Sequence, residues 1–148
     1  MKKILFVSII AICCAVSAFA QKTETKEKSL YERLGGYDAL AAVTDDFLAR
    51  LAKDKMFAKF FVGLSDDTEK KLRQHIVDFL CLATGGPCEY TGRDMKTVHK
   101  GLMITKAEWD ASVKHLIATL DKFKVPEKEK NEVLAAVGGL EKDIVEKK

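Results

Sequence analysis

An all-α domain is what this sequence predicts, and three observations carry the prediction. Apolar residues recur at spacings of three and four along most of the chain, the period of a half-buried helix. No stretch shows the apolar–polar alternation of a half-buried strand. Only two prolines occur, Pro87 and Pro126, so little interrupts helices. With 148 residues, 47% hydrophobic and 32% charged, the composition is that of one globular domain and not of a disordered chain.

The N-terminus is read apart from the fold. Met1-Lys2-Lys3 is a short basic region, Ile4 to Ala20 is almost wholly apolar, and Ala18-Phe19-Ala20 gives the small-x-small pattern that signal peptidase cuts. Residues 1–20 are expected to be a signal peptide; the alternative is an uncleaved membrane anchor. A lipoprotein fits less well, because Ile12 precedes Cys13 where a lipobox wants a small residue. Residues 21–28 read as a flexible, solvated leader, and residues 29–148 as the folded domain. Cleavage removes Lys2 and Lys3, so the net charge falls from +3 to +1. No strong field then remains to favour nucleic acid or a stable membrane association.

The remaining elements follow in order. Ser29 can cap a short helix through Leu34, ended by Gly35-Gly36. A second helix is expected from about Tyr37 to Ala52, with Leu40, Val43, Phe47 and Leu51 on one face. Met56, Phe57, Phe60 and Phe61 form an aromatic patch, and residues 63–67 a loop. A third helix runs from about Thr68 to Ala83, its apolar face made by Leu72, Ile76, Phe79 and Leu80. Residues 88–103 are rich in turn formers, with a helical turn near Met95–Lys100. Thr105 and Glu108 fit a capping box for a helix whose stripe is Trp109, Val113, Leu116 and Leu120. Pro126 is placed first in a last helix with Val133, Val137, Leu140 and Ile144 inward, giving about six helices.

Cys81 and Cys88 flank Gly85-Gly86-Pro87. Either they close a small loop in an oxidising compartment, or they remain two thiols with Cys81 packed as a small hydrophobe. No Cys-x-x-Cys-His occurs, so the c-type haem attachment motif is missing from the sequence.

Three histidines narrow the chemistry. At about 100° per residue, His115 falls about 120° from Trp109, off the apolar stripe, and reads as a surface residue. His75 lies about 60° from Leu72 and flanks the apolar face of the third helix. His99 follows Met95 at i+4 spacing, with Val98 beside it. Taken singly, each fits a structural histidine. Two histidines with an aromatic patch and an apolar helix face can instead enclose a flat cofactor such as haem. A zinc site fits less well, because no close set of three or four ligands is present.

In combination these segments resemble a group I truncated haemoglobin. Ser29-Leu30-Tyr31-Glu32-Arg33-Leu34-Gly35-Gly36 is similar to that family's opening, and the stretch from Asp45 to Leu51 to its second characteristic segment. Phe60-Phe61, the run from Phe79 to Pro87, and the segment from Tyr90 through Arg93-Asp94-Met95 to His99 continue the match. Ile104-Thr105 and Trp109 extend it, and it covers about residues 29–146. The resemblance implies a truncated globin fold, a two-over-two helical sandwich around non-covalent haem b.

It also implies roles. His99 is the proximal ligand of the iron. Its Nε2 binds the metal while Nδ1–H donates to a nearby carbonyl. Phe61, Met95, Ile104 and Trp109 line the haem, Tyr90 lies near its edge, and Phe47, Leu48, Leu72, Ile76, Phe79 and Leu80 complete the pocket. The distal side departs from the family pattern. Leu48 stands where many members have a tyrosine, and Leu72 and Ile76 stand at two usual glutamine or polar positions. His75 matches a position where some members carry a second iron ligand; otherwise it is a boundary histidine at the haem edge.

The expected function is reversible binding of a diatomic gas, O2, NO or CO. A pocket without donors disfavours O2 relative to CO and NO. One alternative is an NO dioxygenase or peroxidase-type enzyme with an electron donor as partner. Another is electron transfer with His75 and His99 both on iron.

Overall fold

The computed structural model describes residues 27–147, so the expected signal peptide and most of the expected leader lie outside the described residues. Among the described residues eight helices follow in order: α1 Leu30–Arg33, α2 Gly36–Lys53, α3 Ala58–Phe61, α4 Asp66–Ala83, α5 Met95–His99, α6 Lys106–Lys122, α7 Glu127–Gly138 and α8 Glu141–Ile144. Among the described residues the only β-type pairing is a parallel bridge between Thr105 and Lys147.

Local side chains set the helix starts. Ser29 with Glu32, and Thr105 with Glu108, form the two capping boxes of α1 and α6. Gly35, at φ 100°, turns the chain between α1 and α2 in a region that L-residues rarely enter. The α4 helix begins earlier than the expected Thr68. Ser65 Oγ accepts the Thr68 N–H at 3.3 Å, and Asp66, Asp67 and Glu69 in the first turn suit the positive end of the helix dipole.

The C-terminal region differs from the single helix expected. Pro126 is the cap of α7 and not its first residue, because its ψ of 151° is extended. The helix then breaks into α7 and α8. Gly138 and Gly139 weaken helical order, and Leu140 N–H bonds back to Val137 O at 2.9 Å in a tighter, 3₁₀-type turn. Val133 and Ile144 are both buried, so the apolar stripe survives the break.

The four longer helices make the body of the domain. α2 packs against α4 and α6, and α6 against α7. Val43, Leu116, Leu120 and Val133 form the core cluster, with Leu30, Leu34, Phe47, Val125, Leu134 and Val137 packed on it. Full burial of a leucine such as Leu120 contributes about 2 kcal/mol. Arg33 reaches from α1 to Glu129 (2.5 Å) and Glu132 on α7. Arg73 on α4 pairs with Asp45 on α2. The α5 helix lies outside this body and packs against α8.

Of the two readings left open for the cysteines, the structure has the bridge. Cys81, fully buried on α4, is bonded to Cys88, with Cα atoms 5.8 Å apart. The turn after α4 makes this reachable, since Gly86 N–H donates to Cys81 O at 2.8 Å and folds the chain back.

Candidate functional site

His99 is the last residue of α5 and is half-buried. Asp94 caps this helix: its carboxylate accepts the Thr97 N–H at 2.9 Å and the Thr97 hydroxyl at 2.6 Å. These bonds hold the Asp94 carboxyl below the usual carboxylate range. His99 Nδ1 lies 2.7 Å from the Met95 carbonyl oxygen. A carbonyl only accepts, so Nδ1 carries the proton and donates. The lone pair is then on Nε2, the nitrogen left to meet a metal.

The chain beyond His99 reverses through Gly101 at φ 87° and Met103 at φ 56°. Glu146, near the C-terminus, accepts the backbone N–H groups of both residues, and this keeps its carboxyl low. Nothing in the helical periodicity marks Glu146, because it meets these amides from far along the chain.

The second histidine stands on α4. Val77 and Cys81 are fully buried there, whereas His75, Ile76 and Phe79 are half-buried and Leu72 is 37% exposed. The face that carries His75 is therefore apolar but incompletely covered. Tyr90 packs edge-on against both His75 (6.0 Å between ring centroids) and Phe79 (5.5 Å). The Tyr90 hydroxyl donates to Arg93 O at 2.8 Å, and burial raises its pKa. Gly92 permits this placement, since a Cβ there would come within 2.3 Å of the Tyr90 ring.

The other expected site residues divide between this face and the core. Leu48 borders an open groove with Asp66, Glu69, Lys70 and Arg73. Phe61, Met95 and Ile104 are half-buried, and Trp109 is buried on α6. Phe47 packs on the core cluster, and Leu80 lines an apolar recess together with Leu116 and Leu120. His115 is a correction. It is half-buried, with Nε2 2.8 Å from Asp54 Oδ2 and its ring edge-on to Phe57. Asp54 caps the end of α2, which packs on α6, so a residue off the α6 stripe still meets protein.

These residues fit a haem. A free imidazole nitrogen, with its ring fixed from behind, is a donor that would suit a haem iron. The partly covered apolar face of α4 has the character of a wall for a flat apolar ring. Among the described residues no group of three or more His, Cys, Asp or Glu side chains forms an alternative metal cage.

Comparison with known proteins agrees. Residues 29–146 match the model of the bacterial-like globin family. The chain is also 34% identical, over 84% of its own length and 90% of the relative's, to the group 1 truncated hemoglobin GlbN of Mycolicibacterium paratuberculosis. This chain belongs to the group 1 truncated haemoglobins. The solved Fe(III) truncated hemoglobin of Tetrahymena pyriformis is 30% identical and superposes with a TM-score of 0.72, covering 80% of this chain and 98% of that one. The 2/2 hemoglobin of Synechococcus sp. PCC 7002, solved in the cyanomet state with covalently attached heme, is 31% identical over the same shares with a TM-score of 0.73. The two-over-two globin fold expected from the sequence is thus the fold of this truncated haemoglobin, and haem is its cofactor.

Proposed function

We propose that this truncated haemoglobin binds a diatomic gas reversibly at a haem held by His99. When bound, haem would supply the iron that binds the gas, and His99 would hold it. One observation carries the assignment of His99: its Nδ1–H is committed to Met95 O, and this orients the ring and leaves Nε2 for the metal. Phe61, Met95, Ile104 and Trp109 are proposed to enclose the ring, with Tyr90 at its edge. The missing Cys-x-x-Cys-His motif supports a non-covalent b-type haem.

Leu48, Leu72 and Ile76 are proposed as the residues nearest the gas. None has a hydrogen-bond donor in its side chain, so the pocket favours CO and NO over O2 more than a tyrosine- or glutamine-bearing pocket does. Absorption spectra of the ferric, ferrous, CO-bound and O2-exposed protein test the reading. His99→Ala is expected to abolish tight haem binding or leave a loosely held, spectrally altered haem. Unchanged haem content and an unchanged ferrous spectrum in that variant would exclude His99 as the ligand.

A second reading concerns His75. Its place beside Ile76 and Phe79 on the open α4 face, steadied by Tyr90, favours a role as sixth ligand when no gas is bound. Gas binding then waits for His75 to leave, and His75→Ala converts a six-coordinate ferrous spectrum to a five-coordinate one. A wild-type ferrous protein that is already five-coordinate at neutral pH contradicts this. Residues 1–20 are proposed to be an export signal. The Cys81–Cys88 bridge supports that reading, since such bonds persist outside the reducing cytosol.

A further inference from the structure

The short α5 helix raises a mechanical question. It has five residues, too few to hold their shape without tertiary support, yet it carries the proximal histidine at its last position. Its N-terminal end is tied by Asp94. The C-terminal end has no such local cap: Lys100 leaves the helix with ψ 125°. The next amides are fixed instead from the other end of the chain.

Glu146 supplies that tie. Its Oε1 and Oε2 accept the Gly101 N–H at 2.9 and 3.1 Å, and Oε2 also accepts the Met103 N–H at 2.6 Å. Between them, Leu102 N–H returns to His99 O at 3.1 Å. Three successive amides therefore close one turn, with the His99 carbonyl at one end and the Glu146 carboxylate at the other. Bonds to an ionised carboxylate are stronger than neutral ones. They hold Met103 at φ 56°, where non-glycine residues are uncommon.

The carboxylate is itself anchored. Glu146 N–H and Lys147 N–H donate to Ile104 O at 2.9 and 3.1 Å, and Lys106 N–H donates to Lys147 O at 3.1 Å. Ile144, just before this segment, is buried, and α8 packs against α5. The tail is thus a strap that binds the residues on the C-terminal side of His99.

From this geometry we infer that Glu146 is a positioning residue for the proximal histidine: by locking the Gly101–Met103 turn it fixes the direction in which His99 Nε2 faces the iron. The inference rests on the reading of His99 as the iron ligand. It adds a residue that touches neither the haem nor the gas, and its effect is on haem retention and on the iron–histidine bond.

The experiment uses the haem-loaded protein in a His75→Ala background, the wild-type reference here, so that the ferrous iron is five-coordinate and no histidine of α4 can replace His99, and compares it with its Glu146→Ala, Glu146→Gln, Lys147→Ala and His99→Gly variants. It reads the rate of haem loss to an excess haem scavenger and the ferrous iron–histidine stretching band by resonance Raman. Removing the partners that orient a metal ligand weakens metal sites roughly tenfold or more, so Glu146→Ala should lose haem about tenfold faster and show a shifted or broadened band. Glu146→Gln keeps one acceptor oxygen and should fall between this variant and wild type. Lys147→Ala, whose backbone bonds are retained, should match wild type. In the haem-free protein, Glu146→Ala should also move the amide resonances of Gly101 and Met103.

Wild-type haem loss and an unmoved band in Glu146→Ala, where His99→Gly abolishes the band, would overturn the positioning role and leave the proximal assignment standing. A band that survives in His99→Gly would overturn the proximal assignment, and this inference with it.

Discussion

A leucine and a tyrosine both present apolar carbon to a cavity, but only the tyrosine can donate a hydrogen bond. That difference makes Leu48, proposed to lie nearest the gas, the most informative residue to change. Leu48→Tyr introduces a hydroxyl at the position where many truncated haemoglobins carry one. A hydrogen bond to a ligand with charged character is worth roughly 1.5–3 kcal/mol, so O2 should dissociate at least about tenfold more slowly, while CO dissociation changes little. Stopped-flow displacement of O2 measures this, and an unchanged O2 rate would remove Leu48 from the gas-contacting set. Single residues also show what a local pattern discloses. The His99 Nδ1 bond to a nearby carbonyl is legible because that partner, Met95, is one helical turn away. Glu146 and Asp54 are not: their partners, Gly101 and His115, are 45 and 61 residues distant, and no local period links them.

Between elements the same division holds. Both capping boxes are legible because the cap and its Glu are three residues apart. The break between α7 and α8 is hidden, because Val133, Val137, Leu140 and Ile144 keep a helical spacing across it. Hidden too is the clamp between α2 and α6. Asp46 accepts from Arg50 (2.7 Å) on its own helix, and from Thr119 (2.9 Å) and Lys122 on α6. The Lys122 ammonium above all, then Arg50, holds the Asp46 carboxyl well below the usual carboxylate range, against the effect of its burial. A depressed folded-state pKa contributes stability that is fully present above the unfolded value of about 3.9 and is lost as pH falls toward the folded one. Asp46→Asn should therefore cost about 2 kcal/mol at pH 7, with a clearly smaller difference from wild type at pH 3. Urea unfolding of both proteins at the two pH values reads this. A gap that is the same at both would show that the carboxylate charge is not what the clamp uses.

At the scale of the whole molecule, the α2–α4–α6–α7 body and its haem-binding character follow from apolar spacing and from motifs spread over residues 29–146, the span that the globin family also matches. Composition is less telling, since a net charge of +3 with 47% hydrophobic residues suits very many domains. Two features set this chain's proposed setting apart, and they come from opposite parts of it. The first is the pattern of residues 1–20, a basic start, an apolar run and Ala18-Phe19-Ala20, the features of the export signal proposed above. The second is the Cys81–Cys88 bridge, which a reducing cytosol would not preserve. Bridging so short a loop stabilises by about 2–3 kcal/mol at most in the chain-entropy model, so its retention depends on the compartment more than on the fold. The two features therefore predict one outcome. Protein recovered from an exporting host without reductant should begin at Gln21 and be lighter by two hydrogens than the same chain with free thiols. Intact mass spectrometry resolves both properties in a single species. A major species that keeps residues 1–20 in the membrane would refute cleavage, and two titratable thiols under denaturation would refute the bridge in the exported protein.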